Sequence, residues 1–431
     1  MHENIEFSSL PDQGKFQEQK LAELLSYVNS ASAHYKRLFQ KVNISIDKIK
    51  SIDDLHHLPF TEKEDLQLHN DDFFCVEKSK IIDYVTTSGT LGEPIIIGLT
   101  ENDLKRLEYN EYLSLICANG TKDDIYQIIT TLDRRFMAGL AYYMGVRRMG
   151  AGVIRVGSGI PELQWDTIRK IKPTALITVP SFMLVLLRFA KQHGIDVNAS
   201  GINKAICIGE PIRNPDFSHS VLAEKILDEW NIELYSTYAS TEMQTAFTEC
   251  SAMNGGHHHP ELLIVEVLDE NRKQVSNGEP GEVVITTLGV EGVPLIRYKT
   301  GDICHYFSEP CKCGRHTIRL GPVIGRKKQM IKYKGTTLYP QAFFDILGRF
   351  EDISNYVVVA STNATGTDEI KILAASKKTD IDFEKELVDH IKAKLRVAPR
   401  LEFSTNEKIE AMQNKNNMGR KVARFIDERV V

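Results

Sequence analysis

Apolar residues recur at helical spacing near the start of the chain. Phe16, Leu21, Leu24, Leu25, Val28, Tyr35, Leu38 and Phe39 predict amphipathic helix across residues 15–42. From Ile81 the pattern changes to short apolar runs separated by amphipathic stretches. Residues 125–130, 152–156, 175–179 and 205–208 read as buried strands, and 161–172 and 181–193 as the helices between them. Strands alternating with helices predict a largely parallel α/β sheet covered on both faces.

After residue 260 the helical period disappears. Residues 262–267, 282–287 and 295–298 read as strands joined by turns such as Ser276-Asn277-Gly278-Glu279-Pro280-Gly281, which predicts a β-rich part over about 250–325. A smaller α+β pattern follows, with strands at 355–360, 370–376 and 400–404 and a helix at 383–396. The expected organisation is a large N-terminal α/β domain, 1–326, and a small α+β C-terminal domain, 327–431. The boundary falls in Gly325-Arg326-Lys327-Lys328. A chain of 431 residues is long enough for two such cores.

Composition narrows the class. The formal net charge of −5 and the pI near 6.3 argue against a nucleic-acid binder, which would carry a strongly basic face. No apolar run approaches the roughly 20 residues of a membrane span, and the first residues are polar, so a cytoplasmic protein is expected. Seven cysteines, an odd number, argue against a disulfide framework.

Four short segments carry candidate chemistry. Thr86-Thr87-Ser88-Gly89-Thr90-Leu91-Gly92-Glu93-Pro94 offers small and hydroxyl residues whose N–H and O–H groups can hold phosphate oxygens. It lacks the Gly-Lys-Ser/Thr of a Walker loop. Taken singly it is equally well a hairpin turn. Tyr238-Ala239-Ser240-Thr241-Glu242 offers an aromatic ring that could stack on a purine, hydroxyls that could meet an α-phosphate and a carboxylate that could hold magnesium, or is simply an amphipathic strand end. Ile296–Asp302 ends in Gly-Asp, which can aim a carboxylate at ribose hydroxyls or form a plain turn. Residues 325–340 read as a basic hinge and a hairpin, or as a solvated charged loop.

In this order the four resemble the signature set of the adenylate-forming superfamily, which includes acyl-CoA synthetases, over roughly residue 50 to the C-terminus. The length, Ile208-Gly209-Glu210-Pro211 and Cys311-Lys312-Cys313-Gly314-Arg315 are most similar to the phenylacetate–CoA ligase branch. The resemblance implies a ligase that uses ATP and magnesium to convert a carboxylic acid to an acyl-adenylate, then passes the acyl group to coenzyme A. It places Ser88, Gly89 and Thr90 at the pyrophosphate end of ATP, and Glu210, Pro211 and Tyr238 at the adenine, with Ala239 and Ser240 in the same nucleotide-binding strand end. Thr241 falls at the α-phosphate, Glu242 on magnesium, and Asp302 at the ribose with Arg326 assisting. Lys328 becomes the hinge of a mobile C-terminal domain.

The resemblance also implies a catalytic lysine near the C-terminus. Counting three back from Arg424 selects Lys421, and aligning on Gly419 would place Arg420 there instead. Leu91, Ala239 and Lys299 depart from the common pattern without removing a functional group. Phe136, Ala138, Gly139 and Gly209 fall where relatives form an acyl pocket, and a flat aryl acid, phenylacetate first, is the expected substrate. A homodimer is an expectation of the same kind. The rival readings are an adenylating enzyme with another acceptor, a nucleotide sensor, and a zinc-dependent nucleic-acid binder.

Cys250, His257, Cys311 and Cys313 form a candidate structural zinc site, since zinc takes four thiolate or imidazole ligands in a tetrahedron. His259 is the alternative imidazole and Cys304 a spare thiol.

Overall fold

The computed structural model describes residues 5–87, 94–333, 336–363, 368–414 and 423–429. The chain divides into two compact units, Met1–Thr300 with Cys304–Val323, and Gly301–Ile303 with Ile324–Val431.

The first unit opens with two helices rather than one, Leu10–Ala31 and Ala33–Lys41. Ser32 separates them. Its extended backbone ends the first, and its side chain accepts from Tyr35 N to start the second. Their apolar faces, including Leu21, Leu25, Val28 and Tyr35, enter the largest core cluster.

Five parallel strands lie side by side in the order Gly152–Arg155, Ile125–Ile128, Ala175–Thr178, Lys204–Ile208 and Glu233–Ser240. Ala175–Thr178 and Lys204–Ile208 are buried at every position, as strands covered on both faces must be. The sheet continues through antiparallel strands Thr245–Glu249, Gly256–His257, Arg319–Leu320 and Tyr298–Phe307, with Pro280–Thr287 and Leu263–Leu268 beyond them. The strand expected at 295–298 begins only at Tyr298 and runs on to Phe307. Arg297 takes φ +46°, and its buried guanidinium is committed to Glu266 and to Leu58 O. That left-handed residue breaks the extended run.

The second unit has a four-stranded sheet in the order Arg400–Phe403, Asp368–Ser376, Ile353–Thr362, Phe425–Asp427. Phe343, Leu347, Leu387 and Ile391, from helices Pro340–Leu347 and Ile381–Leu395, pack with Val358 and Ile372. Ile409, from Asn406–Asn414, packs with the oppositely directed Val357, Val359 and Leu373. Successive strand residues point to opposite faces, so this small sheet is covered on both sides.

Candidate active site

Two of the chemistry-bearing segments leave adjacent parallel strands at their carboxyl ends. Ile208 stands opposite Thr237, so Gly209-Glu210-Pro211 and Tyr238–Glu242 emerge side by side. The crevice beyond the carboxyl ends of such strands is where open α/β sheets bind ligands. Gly209 has φ +77°, the left-handed turn that carries the chain away from the sheet edge.

The Tyr238–Glu242 segment turns back immediately into the antiparallel strand Thr245–Glu249. The Tyr238 ring packs 5.7 Å from that of Phe247. Ser240 Oγ accepts from Met243 N at 3.2 Å, and Gln244 closes the turn at φ +49°. Thr241 and Glu242 occupy its tip, half-buried. Arg106, from helix Glu101–Cys117, holds the turn from below. Its guanidinium donates to Gln244 O at 2.7 Å, Leu288 O at 2.7 Å, Leu262 O at 2.5 Å and Thr245 Oγ1 at 3.1 Å. Nothing in the sequence pattern marks this residue.

Glu210 has a use not visible in the sequence. Its carboxylate accepts from Ser181 N at 2.8 Å, at the amino end of helix Pro180–Gln192. Free amides and the helix dipole favour a negative charge there.

The phosphate-loop candidates Ser88, Gly89 and Thr90 lie outside the described residues, as does Lys421. Asp83–Thr86 pairs antiparallel with Ile96–Leu99. Thr86 N donates to Arg135 O at 3.1 Å, which sets that strand pair against the residues leading to Phe136.

Phe136 precedes helix Met137–Met149. Ala138 packs in the same cluster as Ile208 and Tyr142. Gly139 is different. A Cβ there would lie 2.1 Å from Thr131 O, so its lack of a side chain serves the close approach of the helix to the 131–132 backbone.

In the second unit Asp302 and Arg326 stand opposite each other on antiparallel strands, with Arg326 Nε donating to Asp302 Oδ1 at 3.2 Å. Lys328 follows in the short 3-10 turn Lys327–Gln329.

Cys250, His257, Cys311 and Cys313 meet in the first unit. Their ligand atoms all lie within 4.8 Å of one another. Sheet register brings them there: Thr248 pairs with His257, and His257 with Arg319. Cys311 and Cys313 sit on the turn just before that last strand, where Cys311 N donates to Arg315 O at 2.9 Å and Gly314 takes φ +90°.

Cys250 Sγ and Cys311 Sγ are 3.5 Å apart, far beyond a disulfide bond. A tetrahedral ion with Zn–S bonds of about 2.3 Å would space its sulfurs about 3.8 Å apart, so the cluster has the right size and donor set. Burial pushes the Cys250 thiol up to about 12, and a bound dication would offset that cost by holding it as thiolate. His257 Nδ1 lies 2.7 Å from Thr317 Oγ1, leaving Nε2 toward Cys313 Sγ at 3.5 Å.

The two alternatives lie elsewhere. His259 Nδ1 meets Glu6 Oε1 at 2.5 Å, and Cys304 is buried in the main core. Glu6 is the unforeseen member of this region. Burial pushes its carboxyl up, but His259 and Arg315 outweigh that and hold it at about 2. Arg315 Nε donates to Glu6 Oε2 at 2.7 Å, while its Nη1 lies 3.7 Å from Cys313 Sγ.

The chain belongs to the AMP-binding enzyme family, whose model matches residues 29–291. It is similar to a phenylacetate-coenzyme A ligase of Thermus thermophilus, 27% identical over 81% of this chain and 78% of that protein. It is also similar to a phenylacetate-coenzyme A ligase of Escherichia coli, at 25% identity over 89% of this chain and 86% of that protein. The fold matches the crystal structure of a 2-hydroxyisobutyryl-CoA ligase in the postadenylation state. The TM-score is 0.85 at 20% identity, over 99% of this chain and 91% of that one. Among the described residues no helix is long and apolar enough to cross a membrane.

Proposed function

We propose that this enzyme activates an aryl carboxylic acid, phenylacetate or a near relative, as its acyl-adenylate and transfers the acyl group to coenzyme A, releasing AMP and pyrophosphate. The observation that carries this reading is the emergence of Gly209–Pro211 and Tyr238–Glu242 side by side at the ends of adjacent parallel strands, in a chain of the AMP-binding family. The named relatives supply the acid and the thiol.

In the first step the acid carboxylate attacks the α-phosphorus of ATP, and charge grows on the phosphate oxygens. Thr241, the Ser88-Gly89-Thr90 loop and Lys421 would stabilise that charge, and magnesium held by Glu242 would supply further electrostatic stabilisation. Tyr238 and the Gly209–Pro211 backbone would flank the adenine. Because the Glu210 carboxylate is committed to Ser181 N, its contribution there is through the main chain. Asp302 and Arg326 would take the ribose side. In the second step the coenzyme A thiol displaces AMP, after the C-terminal domain turns about Lys328 and withdraws Lys421. Phe136, Ala138 and the turn at Gly209 would border the acyl group, with Gly139 letting their helix sit close enough. Zinc on Cys250, His257, Cys311 and Cys313 would be structural, because four protein ligands leave no open position.

The test is acid-dependent AMP release with ATP, magnesium and coenzyme A across aryl and aliphatic acids. The expected result is turnover with phenylacetate or a close analogue that requires coenzyme A and is abolished in E242Q. Pyrophosphate exchange without thioester would move the acceptor to another nucleophile. No exchange with any acid would overturn the proposal.

A further inference from the structure

Arg429 stands two residues beyond Asp427, so the two side chains share one face of the extended chain. They form a bidentate pair, Nε donating to Oδ1 at 2.8 Å and Nη2 to Oδ2 at 2.6 Å. The remaining donors reach back between 61 and 101 residues. Nη2 donates to Lys328 O at 3.0 Å, and Nη1 to Met330 O at 2.6 Å and to Asp368 Oδ2 at 3.2 Å. Asp368 Oδ2 also accepts from Lys332 N at 2.9 Å. A single guanidinium, 15% exposed, therefore fastens the backbone from Lys328 to Lys332 onto the small sheet.

On the other side Arg326 is held in register with Asp302. Between the two anchorages runs one 3-10 turn, with Met330 N donating to Lys327 O at 3.2 Å. Such turns have poor hydrogen-bond geometry and serve as short connectors.

We infer that Arg429 is a positioning residue for the step between adenylation and thioester formation: it makes Lys328–Lys332 part of the C-terminal body and confines the swivel to the backbone of residues 326–328. This rests on the proposed two-step reaction and on Lys328 as its hinge. The strand Phe425–Asp427 follows Lys421 in the chain and pairs in parallel with Ile353–Thr362. The clamp therefore also ties the hinge to the strand that leads out of the lysine segment. A loosened clamp would let rotation spread over several residues, and the thiol-accepting orientation would be reached less often. A planar fork with five donors can serve two carbonyls and two carboxylates together, which the compact ammonium of lysine cannot.

The experiment uses the full chain and separates the half-reactions, with the acid that gives most AMP release. Pyrophosphate exchange reports adenylation. Rapid-quench addition of coenzyme A to the enzyme-bound adenylate reports thioester formation. We expect R429A to keep exchange within about twofold and to slow the coenzyme A step about tenfold or more, with R429K intermediate. K328P should show the same split. If K328P splits the steps and R429A matches the wild type in both, the clamp is refuted and the hinge stands. If both variants lower the two steps equally, the hinge reading fails and the inference with it. Should R429A not fold, D427N removes the carboxylate that orients the guanidinium, and absence of the split in D427N overturns the proposal.

Discussion

Arg106 donates to the carbonyl oxygen of Gln244 at 2.7 Å, so a buried cation on a helix supports the turn that carries Thr241 and Glu242. The same guanidinium reaches Leu262 O and Leu288 O. The α/β sheet and its β-rich extension are thereby locked together at one point. Burial draws the pKa of Arg106 down to about 10, with Asp103 and Glu261 opposing, so it stays charged at neutral pH.

Replacing Arg106 with methionine leaves several buried acceptors without a donor. Each buried acceptor left unsatisfied costs about 1–3 kcal/mol, so the expected loss is about 3 kcal/mol or more of stability. Lysine keeps the charge but serves fewer acceptors, so R106K should fall between. Denaturant unfolding checks both, and pyrophosphate exchange in R106K should drop through the displaced turn. Wild-type behaviour of R106M in both measurements would contradict this role.

The cluster of Cys250, His257, Cys311 and Cys313 makes a second expectation. The purified protein should carry about one zinc per chain, and C313S should lose it together with thermal stability. Three thiolates and a bound dication would leave one negative charge, which the adjacent Arg315 would offset, and Glu6 holds Arg315 in place. E6Q should weaken metal retention about 10–100-fold, as outer-layer substitutions do. Competition against a chromogenic chelator measures it, independent of any catalytic activity.

Glu111 supplies a pH dependence. It is buried, Asn110 Nδ2 donates to one of its oxygens, and the other has no partner among the described residues. Burial pushes its pKa from 4.5 up to about 8, with the Asn110 bond opposing. A carboxyl whose folded pKa lies above its unfolded value costs nothing in the acid range, where both states are protonated. As pH rises from about 4.5 to about 8 the unfolded chain ionises and the folded one resists, so this group lowers stability progressively. E111Q should be more stable than the wild type at pH 8.5 and closer to it at pH 5, as followed by thermal melts. Parallel pH profiles for the two proteins would argue against the assignment.

Much of this was readable along the chain. Strands such as 175–178 and 204–208 announce themselves because burial on both faces demands an unbroken apolar run, and a period of 3.6 marks the helices with equal economy. The order of the four motifs is also a property of sequence alone, and it points to an adenylating enzyme before any coordinate is known. Breaks in the pattern were harder to see. Ser32 splits a continuous helical period with one hydroxyl, and Arg297 interrupts an apolar run by taking a left-handed backbone.

What periodicity cannot convey is the partner of a buried polar group. Glu6 and Arg315 are 309 positions apart, Arg106 and Gln244 138, and Arg429 and Lys328 101. Each pairing depends on which strands lie side by side, a choice made by the whole core rather than by local propensity. His257 rather than His259 faces Cys313 because of sheet register, and Gly139 owes its identity to a carbonyl eight residues earlier. Residue order was enough to read off most of the elements, their succession and the class of enzyme. Which charges meet in the interior became visible only in the folded chain, because a buried donor or acceptor must find its complement wherever the fold delivers one.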